Sequence, residues 1–202
     1  MTTTAETPKD TRGLAGLVAG DTQICAVNQT QLIYRGYEIA DLAANATFEE
    51  VAHLLLIGHK PTAEELSAFK AELAELRPIP NALKTVLDGI ATSDLDAHPM
   101  ALLRTGVSYL AHHDAETEEN APEAELRKSK RLVAQMPTII GYMQMVRDGK
   151  TPVDPRPDLD HAANLLWCMT GEEPDELAAK VMDVSLILYA EHDFNASTFT
   201  CR

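Results

Sequence analysis

Residues Thr47–Gly58 read TFEEVAHLLLIG and contain the start, the body and the end of one helix. Thr47 and Glu50 form a capping box, in which the threonine hydroxyl accepts the third amide of the helix and the glutamate reaches back to the threonine amide. Gly58 follows the last apolar residue, and glycine is well suited to the left-handed conformation that ends many helices. The stretch therefore predicts a helix between Thr47 and Gly58.

The same helical signals recur along most of the chain. A second capping box, TAEE, begins at Thr62, and a long helix is predicted from about Glu123 to Arg147 with a kink at Pro137. Further helices are predicted where apolar residues recur at helical spacing, in the regions of residues 83–90, 103–110, Asp158–Thr170 and Pro174–Glu191. We therefore expect a mainly α fold.

One short region departs from the helical pattern. TQICAVN and QLIYR alternate apolar and polar residues around Asn28-Gln29-Thr30, which predicts a short N-terminal β-hairpin. Two strands alone are marginally stable, so the hairpin must pack against helices. Residues 1–12 are polar, and we expect them to be disordered.

Composition excludes several classes of function. The chain has 202 residues and a formal charge of −14, whereas phosphate binding needs clustered basic residues, so nucleic acid is not an expected partner. Its apolar stretches are far shorter than the ~20 residues that cross a bilayer, so no membrane partner is expected. The three cysteines, Cys25, Cys168 and Cys201, have no metal-binding spacing. We therefore expect reduced thiols, a cytoplasmic location and no metal site.

The last helix and the stretch AEHDFNASTFTCR that follows it carry the most chemistry. Val184–Tyr189 is apolar nearly all the way round, which predicts a helix buried on every side. Glu191 and Asp193 flank His192 and favour its charged form, so the imidazole is a candidate anchor for an anion. Asn195 is a candidate N-cap, and the amides after it could also bind an anion. The alternative is that His192 is a structural histidine at a helix corner, as His53, His59, His98 and His161 are predicted to be.

Several motifs, taken in order, resemble the citrate synthase family. They are GLAGLV at 13–18, LIYRGYEIADL at 32–42, FEEVA at 48–52, HPM at 98–100, MPTI at 136–139 and AEHDFNASTF at 190–199. The segments YRGY and AEHxxNASTF are the most specific, and the similarity covers residues 13–202. The resemblance implies an almost wholly helical two-domain enzyme, of which residues 13–202 would form the N-terminal part of the large domain.

The resemblance also implies an activity. Family members are acyltransferases that condense acetyl-CoA with oxaloacetate to give citrate, work as dimers, and need no metal or redox cofactor. His192 matches the histidine that contacts oxaloacetate, and Asn195 lies in the same substrate-binding segment. The helices of His98–His112 and Lys130–Arg147 resemble the family's dimer-interface helices, so a homodimer is expected.

The sequence departs from the family in one large respect. It contains neither the LHGGA segment nor the GxGHxVY segment, nor the later aspartate, and these supply the family's acid and base groups. We therefore expect no catalytic residue in this chain, because the family's acid and base residues would lie beyond Arg202. We interpret the chain as a truncated product or fragment that would be poorly soluble alone. Two alternatives are a 2-methylcitrate synthase that uses propionyl-CoA and a non-catalytic helical dimerisation module.

Overall fold

The computed structural model describes residues 20–27, 30–93, 95–191, 193 and 194, together with Ser197 and Thr200. These residues form three short strands, eight α-helices and one 3-10 turn: β1 (Cys25–Val27), β2 (Leu32–Tyr34), β3 (Tyr37–Glu38), α1 (Ile39–Asn45), α2 (Phe48–Ile57), α3 (Ala63–Leu76), α4 (Asn81–Ser93), α5 (Pro99–Leu110), the 3-10 turn (Ala111–His113), α6 (Pro122–Arg147), α7 (His161–Thr170) and α8 (Glu176–Leu188). The predicted mainly α fold is confirmed. Across this part of the chain, every helix is too short or too polar to cross a membrane.

The predicted β-hairpin is present and is one strand larger than expected. β1 and β2 pair antiparallel with Cys25 opposite Tyr34, and β3 then pairs with β2 with Tyr37 opposite Tyr34. Arg35 and Gly36 connect β2 to β3 with φ values of 45° and 91°. Positive φ at both central residues suits a two-residue hairpin turn, and for arginine this conformation is strained.

The local signals at helix ends are confirmed by the structure. The Thr47 amide donates to the Glu50 carboxylate at 2.7 Å and the Glu50 amide to the Thr47 hydroxyl at 3.4 Å. Gly58 ends α2 with φ 108°. Thr62 and Glu65 make the second box at the start of α3. Helix α6 is continuous through Pro137, so the proline does not end it.

Three apolar clusters form the core. The first joins the sheet, α1, α2 and the end of α8 through Cys25, Tyr34, Leu42, Ala46, Val51, Leu54 and Ile187. The second joins α4, α5 and α6, and the third joins α2, α3 and α6. Helix α6 also packs against α7, where a Cβ at Gly141 would lie 2.4 Å from the Cys168 carbonyl oxygen, so only glycine allows this approach.

The last two helices are shorter than predicted, and one prediction about them is wrong. α7 begins at His161 rather than Asp158, and α8 spans Glu176–Leu188 rather than Pro174–Glu191. The prediction that Val184–Tyr189 is buried on every side is wrong, because Leu188 and Tyr189 are 45% and 87% exposed. Within α8 only Ile187 is fully buried, and Leu177 and Val181, nearer its start, are 73% and 58% exposed. Leu177, Val181 and Leu188 lie on one face of the helix, which no described element covers.

Candidate functional site

The two predicted substrate-binding residues, His192 and Asn195, lie outside the described residues. The same holds for Arg202, the residue beyond which the family's acid and base residues are expected, so that expectation stays a prediction. The residues on either side of His192 in the sequence are described, and hydrogen bonds hold their backbone. α8 ends at Leu188, and Tyr189 and Ala190 form a turn that leads into Glu191. The described part of the candidate site therefore consists of Glu191, Asp193 and Phe194 and the residues that contact them.

Tyr34 holds the backbone directly before His192. Its side chain is 0% exposed, and its hydroxyl donates to the Glu191 carbonyl oxygen at 2.7 Å. The same hydroxyl accepts the Glu191 amide at 3.2 Å. The carbonyls of Ile187 and Leu188 lie farther off, at 3.3 and 3.4 Å, and one hydroxyl has only one proton to donate. Both backbone polar groups of Glu191 are thus bound by one buried hydroxyl.

The strand opposite Tyr34 contributes Cys25 to the same place. Cys25 is buried directly across the hairpin from Tyr34. Burial raises the pKa of the Cys25 thiol, and the carboxylates of Glu191 and Asp193 raise it further, while the Asp193 backbone opposes them. Burial also raises the pKa of Tyr34. Two neutral side chains of the hairpin therefore face the segment around position 192.

The chain leaves position 192 through a tight turn. The Asp193 amide donates to the Glu191 side chain at 2.6 Å, and the Phe194 amide donates to the Asp193 carboxylate at 2.8 Å. Asp193 has φ 72°, a left-handed conformation that aspartate tolerates because its side chain bonds locally. Hydrogen bonds thus hold the backbone at Glu191 and at Asp193 and Phe194.

Comparison with known proteins identifies the family. The family model described as "Citrate synthase, C-terminal domain" matches residues 13–202. The chain belongs to the citrate synthase family. It is 46% identical to a 2-methylcitrate synthase of Shewanella oneidensis, over 94% of this chain and 50% of that protein. It is 39% identical to citrate synthase 2 of Bacillus subtilis, over 95% of this chain and 51% of that protein.

A solved structure gives the same result for the fold. A citrate synthase from Pyrobaculum aerophilum superimposes with a TM-score of 0.84 and 37% identity, over 93% of this chain and 48% of that one. The resemblance to the citrate synthase family and the fold class are therefore confirmed. The chain spans about half the length of the curated relatives it matches.

Within this citrate synthase fold, the structure also has a buried polar cluster that the sequence pattern does not predict. Glu49, Arg77, His161 and Asn164 are all buried, and each has one side-chain atom without a hydrogen-bond partner: Glu49 Oε2, Arg77 Nε, His161 Nδ1 and Asn164 Nδ2. Burial raises the pKa of Glu49. Burial lowers the pKa of His161 to about 4, with a smaller contribution from the Arg77 charge. The available signal was the position of Glu49 on the apolar face of α2, in line with Ala52 and His53.

Each residue of the cluster makes at least one hydrogen bond within the fold. Arg77 donates to the Leu159 carbonyl at 2.8 Å, and Asn164 accepts the Arg156 amide at 2.9 Å. Glu49 accepts the His161 amide at 2.8 Å. The His161 bond is made by its backbone amide, whereas its ring nitrogen Nδ1 has no partner, so the structural role predicted for this histidine stays a prediction. Among the described residues, no group of three or more His, Cys, Asp or Glu side chains is placed to hold a metal ion.

Proposed function

We propose that this chain forms part of a citrate synthase that condenses acetyl-CoA with oxaloacetate to give citrate. The observation that carries the proposal is the fixed backbone at Glu191, within the stretch AEHDFNASTF that resembles the family's oxaloacetate-contacting segment. A held backbone at Glu191 and Asp193, the sequence neighbours of His192, supports a site that binds a small anion in one orientation, and such orientation is a large part of catalysis.

The residues assigned to substrate match the chemistry of oxaloacetate. This ligand carries two carboxylates and a keto group, and a protonated His192 would bind it through a charge-assisted hydrogen bond. Asn195 would supply a neutral contact. A base accepts a proton from the acetyl-CoA methyl group, the resulting carbon nucleophile attacks the keto carbon of oxaloacetate, and the keto oxygen takes up a proton. Water then hydrolyses the thioester, which releases citrate and CoA. These steps need no metal or redox cofactor, so none is proposed.

The catalytic acid and base groups are assigned elsewhere. The LHGGA and GxGHxVY segments of the family do not occur in this sequence, so we assign substrate contacts to this chain and no proton-transferring residue. This division accords with a chain that spans about half the length of its relatives.

The test is the affinity of the complete encoded polypeptide for oxaloacetate, measured by calorimetry. Because a hydrogen bond to a charged group contributes about 1.5–3 kcal/mol, His192→Ala should weaken binding roughly 10- to 100-fold. His59→Gln is the matched control, since His59 is exposed and should leave affinity unchanged. Unchanged binding in His192→Ala would remove the assignment.

A second candidate activity is 2-methylcitrate synthesis from propionyl-CoA, favoured by the 46% identity to the Shewanella oneidensis protein of that name. The two acyl groups differ by one methylene, which a binding pocket discriminates by only about 1–3 kcal/mol. The kcat/KM values of the complete polypeptide with acetyl-CoA and propionyl-CoA decide between them. A higher value with propionyl-CoA would establish the second activity.

We also propose a homodimer formed through α5 and α6. Met100 on α5 and Leu132 on α6 are exposed, at 62% and 39%, and a groove of about 580 Å³ between the two helices has Val107 and Leu110 in its apolar lining. Exposed apolar surface of this kind marks association sites. Sedimentation of the complete polypeptide tests the dimer, and Leu132→Lys should weaken it.

A cytoplasmic location is proposed as well, supported by the free thiols of Cys25 and Cys168.

A further inference from the structure

We infer that Tyr34 is a positioning residue for substrate, because its hydroxyl fixes the backbone of Glu191, the residue directly before the proposed substrate contact His192 in the sequence. The inference rests on the proposed function, since it assigns a purpose to the same site. It adds a residue from the N-terminal sheet to a site otherwise drawn from the AEHDFNASTF stretch.

The contacts of Tyr34 are unusual in number and in placement. A buried tyrosine hydroxyl usually needs one partner, and this one both donates to and accepts from the same residue's backbone. Glu191 is the residue directly before His192, so a shift of its backbone moves the next Cα by a comparable distance. Active-site geometry tolerates displacements of only about 0.5 Å, and a 1 Å error can cost a hundredfold in rate.

Tyr34 is itself held on a rigid support. The next residue, Arg35, donates its backbone amide to the Ile24 carbonyl at 2.9 Å. The Arg35 guanidinium donates to the Leu55 carbonyl near the end of α2, at 3.0 and 3.3 Å. These bonds offset the strain of φ 45° at Arg35 and couple the β2–β3 turn to α2. The Tyr34 hydroxyl, held in this way, can fix the position of the Glu191 backbone.

The ring and the hydroxyl of Tyr34 have separable roles. The ring packs in the first apolar cluster with Leu42, Leu54 and Ile187. Phenylalanine would keep that packing and remove only the bonds to Glu191. Tyr34→Phe is therefore expected to leave the fold intact and to free the Glu191 backbone, which makes it a test of position rather than of core packing.

The experiment uses the complete encoded polypeptide in three variants. Tyr34→Phe is compared with Tyr37→Phe, whose residue lies opposite Tyr34 in the sheet with an exposed side chain. Ile139→Val is a stability control, because it trims a methyl group from the separate α4–α5–α6 cluster. The measurements are the oxaloacetate dissociation constant, the KM for acetyl-CoA, and the hydrogen-exchange rate of the Glu191 amide.

Tyr34→Phe should weaken oxaloacetate binding about 5- to 20-fold, leave the KM for acetyl-CoA within twofold, and speed exchange of the Glu191 amide at least tenfold. Both controls should retain wild-type affinity. Equal loss of affinity in Tyr34→Phe and Ile139→Val, or unchanged affinity in Tyr34→Phe, overturns the inference. Absence of oxaloacetate binding in the wild-type protein overturns the proposed function and with it the role of Tyr34, whereas an unchanged Glu191 exchange rate in Tyr34→Phe overturns the role of Tyr34 alone.

Discussion

The backbone amide of His161 donates to the carboxylate of Glu49 at 2.8 Å, so a side chain from α2 caps the first turn of α7. In a second bond of this type α2 supplies the amide: the Phe48 amide at the start of α2 donates to the Asp183 carboxylate of α8 at 2.8 Å. The first turn of α2 is thus joined to both helices that precede the candidate site.

Removing the Glu49 cap should destabilise the protein. Glu49→Ala leaves the buried His161 amide without an acceptor, and loss of a cap of this kind costs about 0.5–2 kcal/mol. Glu49→Gln keeps an acceptor oxygen and should cost less. Urea denaturation at pH 7 gives both free energies of unfolding, and an alanine variant as stable as wild type would contradict the capping role.

The same pair of variants has a defined pH dependence. Because burial raises the folded-state pKa of Glu49, its contribution to stability is complete below the unfolded pKa and is lost as the pH rises through the folded pKa. The charges of Lys70 and Asp160 act on the pKa of Glu49, and the charge of Glu49 acts on the pKa of Arg77. Glutamine does not ionise, so the stability of Glu49→Gln relative to wild type should increase as the pH rises from 4.5 towards neutrality. Urea midpoints measured across that range test this, and a constant difference would contradict it.

His161 should give the opposite pH dependence. Its pKa is lowered from 6.5 to about 4, so its contribution is complete above pH 6.5 and is lost as the pH falls towards 4. The full loss is on the order of 3 kcal/mol. His161→Phe keeps an aromatic ring beside Phe48, whose ring centroid lies 4.8 Å away, and removes the titration. Its stability should fall less than that of wild type between pH 6.5 and pH 4, as measured by urea denaturation.

The helix ends show which structural features the sequence could predict. The boxes Thr47–Glu50 and Thr62–Glu65 join residues three apart, so their pattern is visible in the sequence and the structure confirms them. The bond from Glu49 to His161 spans 112 residues, and that from Phe48 to Asp183 spans 135. No local pattern encodes partners so far apart, because they meet only after the helices pack.

The candidate site shows the same division. The stretch around His192 is recognisable from its own residue types, since acids beside a histidine at a helix end break a local rule. The role of Tyr34 was not predicted, because its hydroxyl meets Glu191 across 157 residues. The opposite error arose at α8, where an apolar sequence predicted burial on every side. Apolar residues predict that a partner surface exists, but they do not place that surface within the same stretch of chain.

A substitution at the α6–α7 crossing should be strongly destabilising. A Cβ on Gly141 would lie 2.4 Å from backbone and side-chain atoms of Cys168, and backbone cannot move away as a flexible side chain can. Gly141→Ala should therefore cost at least about 1–3 kcal/mol, the range found for overpacked cores.

The matched control is Gly89→Ala in α4, where nothing lies within 4 Å of the added Cβ. Alanine in a helix interior is favoured over glycine by about 0.5–1 kcal/mol, so this variant should be more stable than wild type. Thermal denaturation should shift the two melting temperatures in opposite directions. Equal shifts would contradict the close approach of α6 and α7.

The exposed face of α8 should make the 202-residue chain self-associate when it is prepared alone. Leu177, Val181 and Leu188 share this face, and contiguous exposed apolar surface favours association. Replacing Leu177 and Val181 with lysine should lower the binding of a hydrophobic dye and increase the monomer fraction in sedimentation. Leu95→Lys is the control, because Leu95 is 60% exposed but lies outside the helices. A wild-type chain that is monodisperse and melts cooperatively would show that this face needs no cover.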